Sequence, residues 1–258
     1  MIGLITGSGF YDLPGLQDRE PTSVDTPYGA VTVTTGRWHG RSVAFLARHG
    51  TDHTIPPHGI DYRANIWALW SVGVTGIIAT AVSGAVNPAL APGTLVLISD
   101  FVDYTSGRAD TFFDGVVDPG FDPEGPPGVV HTAMTDAYHP GLRALLAGAA
   151  EEAGIAVVGH GVYCTFNGPR FESPAEITMM GRLGVDLVGM TGYPEVALAR
   201  EAGIPYASIG VVSNPAAGLG DDEVAHGDIM VVVEKAGARL LDLIGRAVER
   251  SSGTDLGI

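Results

Sequence analysis

The chain has 258 residues and a formal net charge of −15, from 14 basic and 29 acidic side chains. This length predicts one large domain with a sizeable core, or at most two small ones. Lys235 is the single lysine among the basic residues, so no basic run is long enough to follow a phosphate backbone, and we expect no nucleic-acid partner.

Targeting and redox features favour a cytoplasmic protein. The longest apolar stretch, 72–86, is interrupted by glycine, threonine and serine and is shorter than the roughly 18 residues of a membrane span. The first residues, MIGLITGSGF, have no basic region before their apolar residues, which favours a first strand over a signal peptide. Cys164 has no second cysteine to pair with, which fits a reducing compartment. We therefore expect no membrane partner.

Short apolar runs alternate along the chain with segments of helical periodicity. The predicted strands are at 2–6, 31–36, 42–47, 75–83, 94–103, 157–165, 185–189 and 206–213. The predicted helices are at 59–72, 140–153, 174–183, 194–202 and 223–250. This alternation predicts a single α/β sandwich with a central, mostly parallel sheet. The segment 106–130 has no period, and we expect it to be an active-site or interface loop.

A glycine-rich turn, Gly7-Ser8-Gly9, follows the first predicted strand. It is not a dinucleotide-binding fingerprint, because Asp12 stands where the third glycine is needed and Pro14 interrupts the helix that should follow. A Walker-type loop is excluded as well, because the single lysine lies far away in the last helix. The turn is either an ordinary connection or a site where backbone N–H groups and the Ser8 hydroxyl hold one phosphate or sulfate.

Arg48 and His49 follow the strand at 42–47. Histidines at 49, 53 and 58 suggest a metal site, but Gly50 stands where a zinc hydrolase carries glutamate and the prolines after Thr54 prevent a helix. We therefore expect no metal. Arg48 is suited to bind phosphate or carboxylate through two parallel hydrogen bonds, although a surface ion pair with an acid is equally compatible with the sequence.

Polar residues also end four other predicted segments. Thr80 to Gly84 and Gly189 to Gly192 place small hydroxyl residues at strand ends, where open α/β sheets bind ligands. Phe171 beside Glu172 combines a stacking face with an acceptor, and Asn214 supplies both donors and an acceptor. Each of these segments by itself is also compatible with an ordinary turn or an exposed side chain. No nucleophile elbow of the G-x-S-x-G type is present, so covalent serine chemistry is not supported.

Taken together, these segments resemble one enzyme family. ITGSGF, FLARHG, TAVSGAV, DYTSGRADTFFDG, NGPRFESPAEI, VGMTGYPEVALARE and SNPAAG are similar, in this order, to the trimeric purine nucleoside phosphorylase family, in its methylthioadenosine and methylthioinosine phosphorylase branch. The likeness covers nearly the whole chain. It implies one nucleoside phosphorylase domain over 1–258, with a three-layer phosphorylase-like sandwich around a mixed sheet, assembled as a homotrimer or a dimer of trimers.

The resemblance also implies a reaction and its residues. Inorganic phosphate attacks C1' of a purine nucleoside and releases the base and a ribose 1-phosphate, without a metal or an organic cofactor. The phosphate contacts implied are Ser8, Arg48, His49, Thr80, Ala81 and Thr191. The ribose contacts implied are Met190, His53 and, from a neighbouring subunit, His131. The base contacts implied are Phe171, Glu172, Asn214 and Ala216, and the residues expected to be catalytic are Asn214, Glu172 and His49.

The base pocket predicts the kind of purine. Asn214 can donate to O6 or N7 of a 6-oxopurine, and an ionised Glu172 can accept from its N1–H, whereas adenine would present a bare N1 lone pair to that carboxylate. Adenine-cleaving relatives resemble one another in carrying aspartate and a small residue at these two positions, and this sequence departs from them at both. We expect inosine, guanosine or 5'-methylthioinosine as substrate, in purine salvage; the alternative is a 5'-methylthioadenosine phosphorylase with 6-aminopurine preference. The 5' end is open: a hydroxyl suits His53 or His131, and a methylthio group suits apolar residues such as Leu219 or Val224.

Overall fold

The computed structural model describes residues 1–50, 52–121, 129–220 and 226–251. In these residues, strands β1 to β11 belong to one mixed, 11-stranded sheet, and helices α1 to α5 flank it. The expected α/β sandwich with a mixed, mostly parallel sheet is confirmed. No helix in the described ranges is both long and apolar enough to cross a membrane.

The strands and helices have the following bounds. The strands are β1 Ile2–Thr6, β2 Gln17–Thr26, β3 Gly29–Trp38, β4 Arg41–Ala47, β5 Gly76–Ala85, β6 Leu95–Leu97, β7 Asp100–Tyr104, β8 Val157–Val158, β9 Val162–Phe166, β10 Leu187–Gly189 and β11 Tyr206–Pro215. The helices are α1 Tyr62–Ser71, α2 Pro140–Ala153, α3 Pro174–Arg182, α4 Gly192–Glu201 and α5 His226–Arg250, with one 3-10 turn at Pro57–Gly59. The predicted helix start at 223 lies outside the described residues.

The sequence did not predict β2. Its residues, QDREPTSVDT, are almost all exposed, so they have no buried alternate positions that could indicate a strand. β2 pairs antiparallel with β3 at the edge of the sheet. It is a strand because its backbone forms hydrogen bonds with β3, and not because its side chains are buried.

Two predicted strands were each wrong in length, because the chain changes its partner strand within them. The run at 94–103 is divided between β6, which pairs with β11 and β8, and β7, which pairs with β9. The run at 157–165 is likewise divided between β8 and β9. Side chains of a strand alternate with a period of two residues whichever strand it pairs with, so this period cannot show where the partner strand changes.

The first helix begins later than predicted. The periodicity favoured a start at 59, but α1 begins at Tyr62. Asp61 caps it by accepting a hydrogen bond from the Ala64 backbone N–H at 2.9 Å.

The sheet is open beside β5, and this opening positions the site. One edge of β5 pairs with β11 from Ile77 to Ala85. The other edge pairs with β1 from Gly76 to Ala79 and with β10 at Gly84 and Ala85. Residues 80–83 therefore have no strand pairing on that edge within the described residues, and a cleft opens there at the carboxyl ends of the parallel strands.

Apolar packing on both faces of the sheet holds this opening in place. One buried cluster includes Ile66 of α1 and Leu198 of α4, and the other includes Leu146 of α2 and Leu240 of α5, all fully or almost fully buried. Burial of one such side chain contributes about 1.5–3 kcal/mol. The strand ends that carry polar residues are thus attached to a rigid core.

Candidate active site

A cavity of about 520 Å³ lies in the opening beside β5. It is formed by the residues after β1 and β4, the second half of β5, the ends of β10 and β11, and the segment before α3. Among the residues predicted from the sequence, those that line it are Ser8, Arg48, His49, His53, Phe171, Glu172, Met190, Thr191, Asn214 and Ala216. A volume of this size suits a small-molecule substrate.

Arg48 is buried at the floor of the cavity, with 2% of its surface exposed. Its Nη1 donates to the Thr80 carbonyl in the unpaired part of β5, at 3.0 Å. Its Nε and Nη2 donate to the two carboxylate oxygens of Glu195, at 2.7 and 2.8 Å. The carboxylate raises the pKa of Arg48 further above its ordinary value, so the guanidinium stays charged despite its burial.

This pairing decides which hydrogens of Arg48 can meet an anion. The sequence left open whether Arg48 binds an anion or pairs with an acid, and the structure shows a buried acid on the Nε side of the guanidinium. A guanidinium has five N–H hydrogens, and three of them are used here. One hydrogen on Nη1 and one on Nη2 therefore remain for a ligand.

The glycine turn after β1 brings backbone close to Arg48. A Cβ on Gly7 would lie 2.9 Å from Arg48 Nη1, so only glycine allows this approach. Gly9 has a φ of +85°, and a Cβ there would lie 2.5 Å from Val233 Cγ1 of α5. The turn therefore places Ser8 at the cavity beside the guanidinium.

His49 lies next to Arg48 and is neutral at ordinary pH. Its Nδ1 is 2.9 Å from the Ile55 carbonyl oxygen, which can only accept, so Nδ1 carries the proton and Nε2 is an acceptor. Burial, with the positive charge of Arg48 acting in the same direction, lowers the pKa of His49 to about 4. The His53 ring stands edge-on to His49, with centroids 5.1 Å apart, and also contacts Tyr11.

The end of β10 and the residues after it also line the cavity. Thr191 is buried and precedes α4, and its side chain does not cap that helix. Met190 lines the cavity and packs against Gly168, where a Cβ would lie 2.4 Å from the methionine sulfur. Thr191 and Met190 thus both line the cavity.

The segment before α3 and the end of β11 line the cavity as well. Glu172 is 8% exposed, and burial raises the pKa of its carboxyl above the ordinary value. Phe171 is half-exposed and presents its ring at the cavity. Asn214 accepts from the Ser213 hydroxyl at 2.7 Å and donates from Nδ2 to the Pro215 carbonyl at 2.6 Å. These bonds fix the amide and leave one Nδ2 hydrogen for a ligand.

Three predicted residues do not line the cavity. Thr80 and Ala81 are buried in β5, and each contacts a lining residue through its carbonyl: that of Thr80 accepts from Arg48, and that of Ala81 accepts from the Ser83 hydroxyl at 2.9 Å. His131 is exposed, after the loop at 106–130. Its expected place is in the site of another subunit, so its role stays a prediction.

Sequence reasoning missed several residues of the site. Glu195 is not among the residues predicted for the site, whereas it is the fully buried partner of Arg48 and also accepts from the Tyr206 hydroxyl at 2.6 Å. The segment Ile55 to Pro57 and Ile229 of α5 line the cavity as apolar walls. For the segment Ile55 to Pro57 the adjacent prolines were the only signal in the sequence. No local pattern indicates that Ile229 lines a cavity.

Comparisons with known proteins place the chain in a family. A model described as Phosphorylase superfamily matches residues 1–249, and the chain belongs to this superfamily. The 6-oxopurine nucleoside phosphorylase of Pyrococcus furiosus is 42% identical over 247 residues, which cover 96% of this chain and 91% of that protein. A Methanopyrus kandleri protein named "Probable S-methyl-5'-thioinosine phosphorylase" is 43% identical over 249 residues, covering 96% of this chain and 91% of that protein.

A solved structure shows the same fold. The methylthioadenosine phosphorylase of Schistosoma mansoni in complex with adenine superposes with a TM-score of 0.87 at 34% identity, over 96% of this chain and 90% of that chain. The resemblance to purine nucleoside phosphorylases that the motifs indicated is confirmed by these relatives.

Proposed function

We propose that this protein catalyses the reversible phosphorolysis of purine nucleosides with a 6-oxo base, releasing the free base and ribose 1-phosphate or 5-methylthioribose 1-phosphate. The observation that carries the proposal is that one cavity is lined both by Arg48, which we assign to an anion-binding end, and by Glu172 and Asn214, which we assign to a purine-reading end. The names of the relatives from Pyrococcus furiosus and Methanopyrus kandleri support the same substrate class.

The anion-binding end holds the nucleophile. Inorganic phosphate accepts from the remaining hydrogens of Arg48 and from the hydroxyls of Ser8 and Thr191, and a protonated phosphate oxygen donates to Nε2 of His49. Because Glu195 neutralises much of the Arg48 charge, phosphate is held by several donors rather than by one strong ion pair. These donors are fixed in advance and need not reorganise as charge moves in the transition state.

The purine-reading end stabilises the leaving group. As a phosphate oxygen forms its bond to C1', the C1'–N9 bond breaks and its electron pair passes into the purine ring. The free Nδ2 hydrogen of Asn214 stabilises that charge at N7, and Glu172 accepts from N1–H. Phe171 stacks on the base, and Met190 packs beneath the ribose.

The same contacts make binding of an adenine base less favourable. An ionised Glu172 that faces the N1 lone pair of adenine loses its partner, a mismatch of about 1–3 kcal/mol. The solved methylthioadenosine phosphorylase favours the second candidate, cleavage of 5'-methylthioadenosine, on overall fold alone. Initial rates decide between the two.

The test measures release of base from inosine, guanosine, 5'-methylthioinosine and 5'-methylthioadenosine, each with and without phosphate. We expect turnover that depends on phosphate and is faster with the 6-oxopurines. Asn214→Asp should shift the preference toward 6-aminopurines, with Gln17→Glu, an exposed amide of β2 outside the cavity, as the control for an added negative charge. Equal turnover without phosphate, or faster cleavage of methylthioadenosine by the wild type, contradicts the proposal.

The proposed enzyme needs no metal and no organic cofactor, and it acts in cytoplasmic purine salvage as a homotrimer or a dimer of trimers. His131 is available for such an assembly because it is exposed and lies outside this chain's own cavity. Size measurement in solution, with His131→Ala assayed for a raised nucleoside KM at unchanged size, tests this part. An active monomer contradicts it.

A further inference from the structure

Arg108 makes a set of contacts that the proposed reaction does not use. It lies in the loop after β7, is half-buried and does not line the cavity. Its Nη2 donates to the carbonyls of Met190 at 2.8 Å and Asn167 at 3.1 Å. The same nitrogen is 3.3 Å from the Phe166 carbonyl, and Nη1 donates to the Tyr193 carbonyl at 2.5 Å.

Four backbone carbonyls from two separate segments thus point at one guanidinium. Carbonyl oxygens carry partial negative charge, so their convergence is unfavourable unless a cation with several donors lies between them. Phe166 is the last residue of β9 and Asn167 follows it, whereas Met190 follows β10 and Tyr193 is a non-helical residue in the first turn of α4. Arg108 therefore joins the ends of two adjacent parallel strands where the sheet hydrogen bonds stop.

These two segments carry adjoining parts of the proposed substrate pocket, since Gly168 packs against Met190. Met190 itself lines the cavity, and Pro169 and Phe171 follow Asn167 into it. The carbonyls that Arg108 holds are thus within a few residues of both the ribose and the base contacts. A change in their separation moves the two walls relative to each other.

The rest of the loop supports the same arrangement. The Asn167 side chain donates to the Ser106 carbonyl at 3.0 Å, and the Tyr193 hydroxyl donates to Asp110 at 2.9 Å. The guanidinium of Arg108 also lies over the ring of Tyr62, 5.2 Å from its centroid. The loop is therefore attached to the same two segments before Arg108, at Ser106, and after it, at Asp110.

We propose that Arg108 is a positioning residue that sets the distance between the ribose wall at Met190 and the base wall after Asn167. The proposal rests on the proposed function, because it assigns these walls to a nucleoside. Misplacement of a bound substrate by about 1 Å can cost about 100-fold in rate. Arg108→Ala should therefore lower kcat/KM for inosine by about 10- to 100-fold.

The experiment compares Arg108→Ala and Arg108→Lys with the control Arg63→Ala. Arg63 pairs with Asp114 of the same loop and lies over Tyr28, but it touches no wall of the cavity. We expect the control to keep wild-type kcat/KM within about threefold, and Arg108→Lys to retain part of the activity, because one ammonium reaches fewer carbonyls than a guanidinium. Guanidinium chloride, well below denaturing concentration, should restore activity to Arg108→Ala, whereas sodium chloride should not.

Further measurements distinguish a positioning role of Arg108 from a general loss of folded structure. Thermal unfolding and solution size should match the wild type in Arg108→Lys, and hydrogen exchange in Arg108→Ala should increase at 189–193 and 166–169. Wild-type kcat/KM in Arg108→Ala, an equal loss in Arg63→Ala, or a loss that follows only the unfolded fraction or a change in size would overturn the proposal. Failure of the proposed function is distinguishable, because it appears in the wild type as turnover that does not require phosphate.

Discussion

Replacement of Glu195 by glutamine removes the charge that balances Arg48 while keeping the size of the side chain. The wild-type carboxylate accepts three hydrogen bonds, two from Arg48 and one from the Tyr206 hydroxyl, and it has 0% exposure. Glutamine offers one acceptor oxygen and one NH2 donor in that place. At least one Arg48 N–H therefore faces another donor, and the buried guanidinium loses its counter-charge.

The magnitude follows from the burial of both partners. Removal of one partner from a buried ion pair costs about 3–5 kcal/mol. Domains have a free energy of unfolding of about 5–15 kcal/mol, so Glu195→Gln should lose a large part of it. An exposed pair behaves differently: Asp242 and Arg246 are 46% and 44% exposed, and Asp242→Asn should change stability by at most about 1 kcal/mol. Both changes convert a carboxylate to an amide, which makes the second a matched control.

Urea unfolding with and without phosphate measures the effect. We expect the Glu195→Gln midpoint to fall, and phosphate to raise it by more than it raises the wild-type midpoint, because bound phosphate supplies the missing negative charge at Arg48. Catalysis should decrease because the guanidinium is no longer held in one orientation. If Glu195→Gln unfolds at the same urea concentration as Asp242→Asn, or phosphate stabilises both variants equally, Glu195 does not balance Arg48 in the way described.

Two further predictions concern pH. Burial raises the pKa of Glu172, so hypoxanthine affinity by calorimetry should fall as the pH decreases through that raised pKa, and Glu172→Gln should remove this dependence; a pH-independent wild-type affinity contradicts it. His49 has a pKa of about 4 in the folded protein and 6.5 as its ordinary value, so its contribution to stability is complete above 6.5 and is lost as the pH falls to 4. The loss amounts to up to about 3 kcal/mol, measurable as a steeper acid decline in urea unfolding than His49→Gln shows; parallel declines refute it.

Local patterns in the sequence were sufficient for much of the fold and for the main groups of the site. Buried strands such as β1 and β5 have continuous apolar runs, and α5 has a regular apolar stripe, so each could be predicted from its own residues. The polar ends of these strands indicated ligand chemistry at one edge of the sheet. In the structure, ten predicted residues do meet at one cavity there.

Long-range pairing decided the rest. β2 is a strand because β3 offers it an edge, and its exposed residues carry no pattern of their own. The breaks between β6 and β7 and between β8 and β9 depend on which neighbour each strand meets. Local periodicity contains no information on sheet order, so these features could not be predicted from it.

The sequence by itself determined which donors and acceptors stand at the strand ends, because residue type and local pattern are enough to place a polar group after a buried strand. Only the tertiary structure decided their partners. Arg48 meets Glu195 across 147 residues of chain, and Arg108 meets Met190 across 82. Such contacts follow from the order in which strands enter the sheet and from the gap beside β5, and both are properties of the whole fold.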